Sequence, residues 1–150
     1  MSTPEERLAA LGHEVPEVAK PVAAYVPAVR SGNHVFTSGQ LPMRSGELIT
    51  TGKVGAGVTA EEAYACAQQC ALNAIAAVRA EIGDLALVKR VVKVVVFVAS
   101  APDFTGQPGV ANGASELLGE VFAGVHARSA VGVAVLPLDA PVEVEILVEV

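Results

Sequence analysis

The segment over residues 59–83 constrains this chain more than any other stretch. Thr59 followed by Glu62 makes a capping box, and Ala63, Cys66, Cys70, Ala74 and Val78 then recur at helical spacing before Gly83 supplies a stop. The spacing predicts a helix of about six turns. Residues 87–99 follow, rich in valine and β-branched, and predict a long central strand. In residues 142–150, Glu143, Glu145 and Glu149 alternate with Val142, Val144, Ile146 and Val148, so one face of that strand is buried and the other polar.

The other elements fall around these three. Residues 4–11 suit a short amphipathic helix with Leu8 and Leu11 on one side, and Pro16, Pro21 and Pro27 punctuate an extended stretch that contains Tyr25. Residues 26–38 read as a hairpin turning at Ser31, Gly32 and Asn33. Residues 39–57 read as a polar, glycine-rich surface connection. A loop begins at Pro102 and Asp103, and a helix runs over residues 115–122, or from Asn112, with Gly124 closing it. Residues 130–136 predict a further strand, joined to the last one by a turn over residues 137–141. The order is β-β-α-β-α-β-β, an α+β arrangement with two main helices on one face of a mixed sheet. Two helices leave the other face uncovered, which calls for oligomerisation.

The 150 residues fit one domain, read as an extension over residues 1–20 and a single domain over residues 21–150. Ten Lys and Arg against sixteen Asp and Glu give a net charge of −6, and the basic residues form no stripe. That balance argues against a nucleic-acid partner. An acidic protein that binds an anion must focus positive charge locally. The first twelve residues lack a signal-peptide core, and the longest apolar run, residues 94–99, is too short for a membrane span. With only Cys66 and Cys70, no disulfide framework is implied, and a cytoplasmic location is expected.

Arg128 lies where a loop becomes a strand. Its planar fork suits a carboxylate, and the competing reading is a solvated residue paired with a strand glutamate. Glu143 follows fifteen residues later. A hairpin about residues 137–141 would bring the two to one end of the sheet, as a water-orienting pair or as a cross-strand salt bridge. Cys66 and Cys70 share a helix face but read as buried thiols, since the three histidines, His13, His34 and His126, lack ligand spacing. Ser38 lacks the Gly-x-Ser-x-Gly setting of a nucleophile but could donate a hydrogen bond to a ligand. The glycines of residues 52–57 do not form a phosphate loop, because Lys53 does not open a helix.

Val35-Phe36-Thr37-Ser38-Gly39-Gln40-Leu41-Pro42 resembles the first signature of the Rid family, the reactive-intermediate deaminases also called YjgF-like or L-PSP endoribonuclease-like proteins. Arg128-Ser129-Ala130-Val131 to Leu136-Pro137, followed by Val142-Glu143-Val144-Glu145, resembles the second. The likeness spans residues 25–148 and implies a chorismate-mutase-like fold. It further implies a homotrimer with sites between subunits, and hydrolysis of enamines or imines such as 2-aminoacrylate or 2-iminopropanoate to 2-keto acids and ammonia, without a cofactor. In that likeness Arg128 holds the substrate carboxylate and Glu143 positions water. Tyr25 lines the pocket, Ser38 adds a polar contact, Asn112 lies nearby, and the Ala130 backbone brackets the imine. The chain departs from the pattern in four ways. Ala130 stands where many members carry Cys, Tyr25 follows Ala23-Ala24 rather than Gly-Pro, residues 105–111 read as a longer loop, and the first twenty residues are extra. These departures mark a separate branch, for which a non-catalytic keto-acid binder of the same fold is the alternative.

Overall fold

The structure, a computed structural model, describes residues 2–20 and 23–150. The punctuating Pro21 therefore lies outside the described residues. Helix α1 (Pro4–Ala10) carries a complete capping box from Thr3 and Glu6. Strands β1 (Ala28–Ser31) and β2 (His34–Thr37) form the expected hairpin, with Gly32 at φ +60° in the turn. The connection read as irregular contains a two-residue hairpin, β3 (Met43–Arg44) and β4 (Glu47–Leu48). Helix α2 (Ala60–Ile82) is the predicted long helix. Its box is half made: the Thr59 hydroxyl accepts from the Glu62 N–H, but the Glu62 carboxylate takes the hydroxyl proton instead of the backbone N–H of Thr59.

Strand β5 (Arg90–Ala99), helix α3 (Gln107–Phe122), strand β6 (Ala127–Val133) and strand β7 (Val142–Glu149) complete the chain. Three boundaries differ from the sequence expectation. Leu85–Leu87 is a 3-10 turn, so β5 starts later. Most of the expected loop at residues 105–111 is the first turn of α3, opened by Pro108 near its start. Strand β6 begins three residues earlier, which puts Arg128 inside it.

The five-stranded sheet has the order β1-β2-β7-β5-β6. Among the described strands of this sheet, β5 and β6 are the parallel pair, with α3 as their crossover. The expected β6–β7 hairpin does not form, because β5 lies between them and pairs with both. The most valine-rich strand thereby has both edges hydrogen-bonded and takes an interior place, while β6, which carries Gly132, becomes the edge. Helices α2 and α3 cover one face. The core joins Val94, Val96 and Val98 of β5, Val142, Val144 and Val148 of β7, and the α2 face from Ala63 to Val78. A Cβ on Gly113 of α3 would sit 2.2 Å from the Tyr64 carbonyl oxygen of α2, so the two helices meet backbone to backbone only because that residue is glycine. Leu8 of α1 is fully buried in the same core, and Arg7 Nε donates to the Val121 carbonyl near the end of α3 at 2.6 Å.

Candidate functional site

Two polar clusters stand out, and they contain all six residues singled out in the sequence. The first is built on β6 and α3. Arg128 pairs in register with Val94, which is buried under the helices, so its side chain points to the helical face. There it meets one turn of α3. Arg128 Nη1 donates to Asn112 Oδ1 at 2.8 Å and to Ser115 Oγ at 3.2 Å. Asn112 and Ser115 are three apart on the helix and so share a face. The His126 Nε2 lies 2.9 Å from the same Ser115 Oγ. Burial, and then the positive charge of Arg128, hold the His126 pKa below its ordinary value, which favours the neutral ring. Ala130 follows two residues along β6 on the same face, opposite Val96 and partly buried.

Arg128 is part-buried, yet among the described residues the ion pairs are Lys53 with Asp139 at 2.7 Å and Arg90 with Glu149 at 3.6 Å. No described carboxylate answers Arg128. The reading of a residue neutralised by a strand glutamate is therefore not what the fold builds.

The second cluster lies on the uncovered face. Glu143 pairs with Phe97, three residues along β5 from Val94 and therefore on the opposite side of the sheet. Burial, and then repulsion from Glu145 two residues on, raise the Glu143 pKa above its ordinary value. The carboxylate lies against Gly39, where a Cβ would come within 2.7 Å of its Oε1. The Thr37-Ser38-Gly39-Gln40 run is thus an assembly device. Thr37 Oγ1 accepts from the Ile146 N–H at 3.0 Å, and Ser38 Oγ donates to the Val26 carbonyl at 2.6 Å. Gly39 leaves space for the glutamate, and Gln40 exchanges backbone hydrogen bonds with Val144. Tyr25, Pro27, Leu41, Leu138 and Glu143 line one cleft of about 80 Å³, with Lys20 at its rim. Leu138 and Asp139 both hold positive φ, 60° and 59°, in the turn that forms one wall.

The structure therefore groups Arg128, Asn112 and Ala130 on one side, and Tyr25, Ser38 and Glu143 on the other. It corrects the expectation that Arg128 and Glu143 share an end of the sheet. Three residues of offset at about 3.3 Å and two strand spacings at about 4.8 Å leave their Cα atoms roughly 14 Å apart, on opposite faces. The sequence reading missed Ser115 and His126. The Asn112-x-x-Ser115 spacing, on a helix that starts at Asn112 or earlier, is the signal that points to the serine.

Cys66 and Cys70 belong to neither cluster. Both are buried free thiols, and burial pushes Cys66 up to about 11 and Cys70 well above its ordinary value, which leaves them protonated and unreactive. No helix among the described residues is long and apolar enough to cross a membrane.

Comparison with known proteins adds to this geometry. The sequence profile of the family described as "YjgF/chorismate mutase-like, putative endoribonuclease" matches residues 5–150. The chain is 50% identical to Protein TCP17 of Trypanosoma cruzi over 142 residues, covering 93% of this chain and 89% of the relative. It is 36% identical to a 2-iminobutanoate/2-iminopropanoate deaminase of Dermatophagoides farinae, covering 89% and 91% of the two chains. Its fold superposes on the crystal structure of the protein Atu1372 from Agrobacterium tumefaciens with a TM-score of 0.92 at 46% identity, covering 98% of this chain and 92% of that one.

Proposed function

The chain belongs to the YjgF/chorismate mutase-like family, and on that premise we propose that it hydrolyses small imines or enamines of the 2-iminopropanoate or 2-aminoacrylate type to 2-keto acids and ammonia. The observation that carries this reading is Arg128 itself: part-buried, anchored through Nη1 by Asn112 and Ser115, and met by no described carboxylate of its own chain. A guanidinium held in that way gains most from a ligand carboxylate.

An imine carbon beside a carboxylate is already electrophilic. Once the carboxylate is gripped, the remaining task is to hold a water at the carbon and move its protons. Glu143 takes one water proton as the oxygen adds to the imine carbon and returns it to the imine nitrogen, so the carboxylate is regenerated. The resulting carbinolamine loses ammonia, its C–N bond breaking as the C=O bond of the keto acid forms. A raised carboxylate pKa favours proton acceptance near neutral pH. Tyr25 and the Leu138 turn line the cleft beside this position, and the scheme requires no cofactor.

The two clusters face away from each other in one chain, so the reading requires that Arg128 of one copy meet Glu143 of another. The uncovered sheet face supports this. Val29 is 53%, Phe36 48% and Val131 44% exposed on it, and a homotrimer with sites between subunits buries them. The buried reduced thiols suit a cytoplasmic setting. The net charge of −6 disfavours RNA as a substrate despite the family description.

The test is keto-acid release from enzymatically generated 2-iminopropanoate, measured against buffer and against Arg128→Ala. Release above buffer that is lost in Arg128→Ala supports hydrolysis. Calorimetric binding of pyruvate or 2-oxobutanoate without hydrolysis makes the protein a keto-acid binder instead. RNA cleavage abolished by Arg128→Ala overturns the proposal.

A further inference from the structure

The chemistry around Arg128 contains a group that the proposed reaction has no use for. A guanidinium has five N–H bonds, and Nη1 carries two of them. Both are spent inside the chain, on Asn112 Oδ1 and Ser115 Oγ. Among the described residues no hydrogen bond leaves Nε or Nη2, so the free edge is the side-on one. That edge carries two parallel N–H groups that match the two oxygens of a carboxylate.

Ser115 can hold its place in two ways. Its oxygen has two lone pairs and one hydrogen. Arg128 takes a lone pair at 3.2 Å, and the contact with His126 Nε2 at 2.9 Å fixes the rest of the hydroxyl. A neutral imidazole accepting through Nε2 draws the serine proton away from the guanidinium and turns the lone pairs toward it. Without that acceptor the hydroxyl can rotate its proton toward Arg128 and lose the bond. Asn112 and Ser115 sit on one face of α3, and Gly113 between them presses α3 against Tyr64 of α2. The cradle is therefore fixed by backbone packing and not by the ligand.

We propose that Ser115 and His126 are positioning residues that lock the Nη1 end of Arg128, so that its Nε/Nη2 edge alone receives the substrate carboxylate. This rests on the carboxylate-binding reading of Arg128. It assigns Ser115 and His126 a role in affinity and not in the chemical step.

The experiment measures pyruvate binding by calorimetry and imine hydrolysis kinetics for Ser115→Ala, His126→Phe, Arg128→Ala and the wild type, with melting curves for each. Loss of one hydrogen bond to a charged group predicts a roughly tenfold to hundredfold rise in Kd and KM for Ser115→Ala. His126→Phe should lose less, and kcat should stay within a few-fold of wild type in both. Ser115→Thr keeps the hydroxyl and His126→Gln keeps an acceptor near Nε2, so both should restore binding. If Ser115→Ala fails to fold, His126→Phe with its glutamine rescue carries the test. Wild-type affinity in the alanine and phenylalanine variants, with binding lost in Arg128→Ala, overturns the positioning role and leaves the carboxylate reading standing. A loss of kcat with KM unchanged also overturns it. Wild-type binding in Arg128→Ala removes the carboxylate reading itself.

Discussion

The surroundings of Arg128 and of Glu143 are built in opposite ways. Arg128 sits within a strand and is held by side chains of a helix, with distances fixed by the β6 register and by the backbone contact of α3 on α2. Glu143 also sits within a strand, but what surrounds it is loop: the segment around Tyr25, the run after β2, and the strained turn at Leu138 and Asp139. Regular elements give an anchor whose geometry does not adapt. Loops give a wall that can differ between relatives while the strand below it stays in place. A site of this kind would vary in which substrate it encloses more readily than in how it holds a carboxylate.

The largest effect is expected from Arg128→Ala, which should lower kcat/KM about a thousandfold and abolish keto-acid binding, because a part-buried charge-assisted pair with the ligand is lost. Melting should change little if the cradle is indeed built by backbone packing. Glu143→Gln should lower kcat about a hundredfold with KM nearly unchanged, as expected for a proton-transfer group and not a grip. The same variant should be more stable at neutral pH. The raised pKa means that the folded chain binds the Glu143 proton more tightly than the unfolded chain, so stability falls as pH rises through the range above the ordinary carboxylate value. Urea unfolding of both proteins across that range checks the sign.

Gly113→Ala should cost about 1–3 kcal/mol in denaturant unfolding, since its Cβ would collide with the Tyr64 carbonyl. The activity that survives should show a raised KM, because α3 carries Asn112 and Ser115. Leu138→Gly tests the loop side. Relief of a left-handed backbone at an exposed leucine should stabilise by up to about 1 kcal/mol, while KM rises as the wall thins. The smallest effect belongs to His126. Its lowered pKa means that the unfolded chain takes up the proton first, so stability should decline as pH falls below the ordinary imidazole range, and His126→Gln should flatten that slope. Equal slopes in the two proteins would show that His126 is not held neutral by the Arg128 cluster.

Much of the fold was legible from local signals. Helix α2 announced itself through Thr59, its apolar spacing and Gly83. Strand β7 did so through its alternating glutamates, and the β1–β2 hairpin through Gly32. Helix α3 is legible only from Asn112 or Ser115 onward. Gly106, Pro108, Gly109 and Gly113 look like loop residues, and the reason for Gly113 is a contact with α2 that no local rule contains. All six candidate residues fall in one or other of the two clusters. Ser115 and His126 carry no role that local sequence reveals, because each matters only through its distance to a residue of another element.

Most of the elements, the two-faced pattern of β7 and the chemical types available to the site, an arginine and a glutamate, follow from the sequence alone. Where they stand is set by the strand order of the sheet. Which strand lies between which is a non-local choice, made by the pairing needs of the valine-rich β5 at both of its edges. Once β5 separates β6 from β7, strand parity puts Arg128 under the helices and Glu143 on the open face. Side chains alternate sides at every residue, so no spacing along the chain could have revealed that the two residues look in opposite directions.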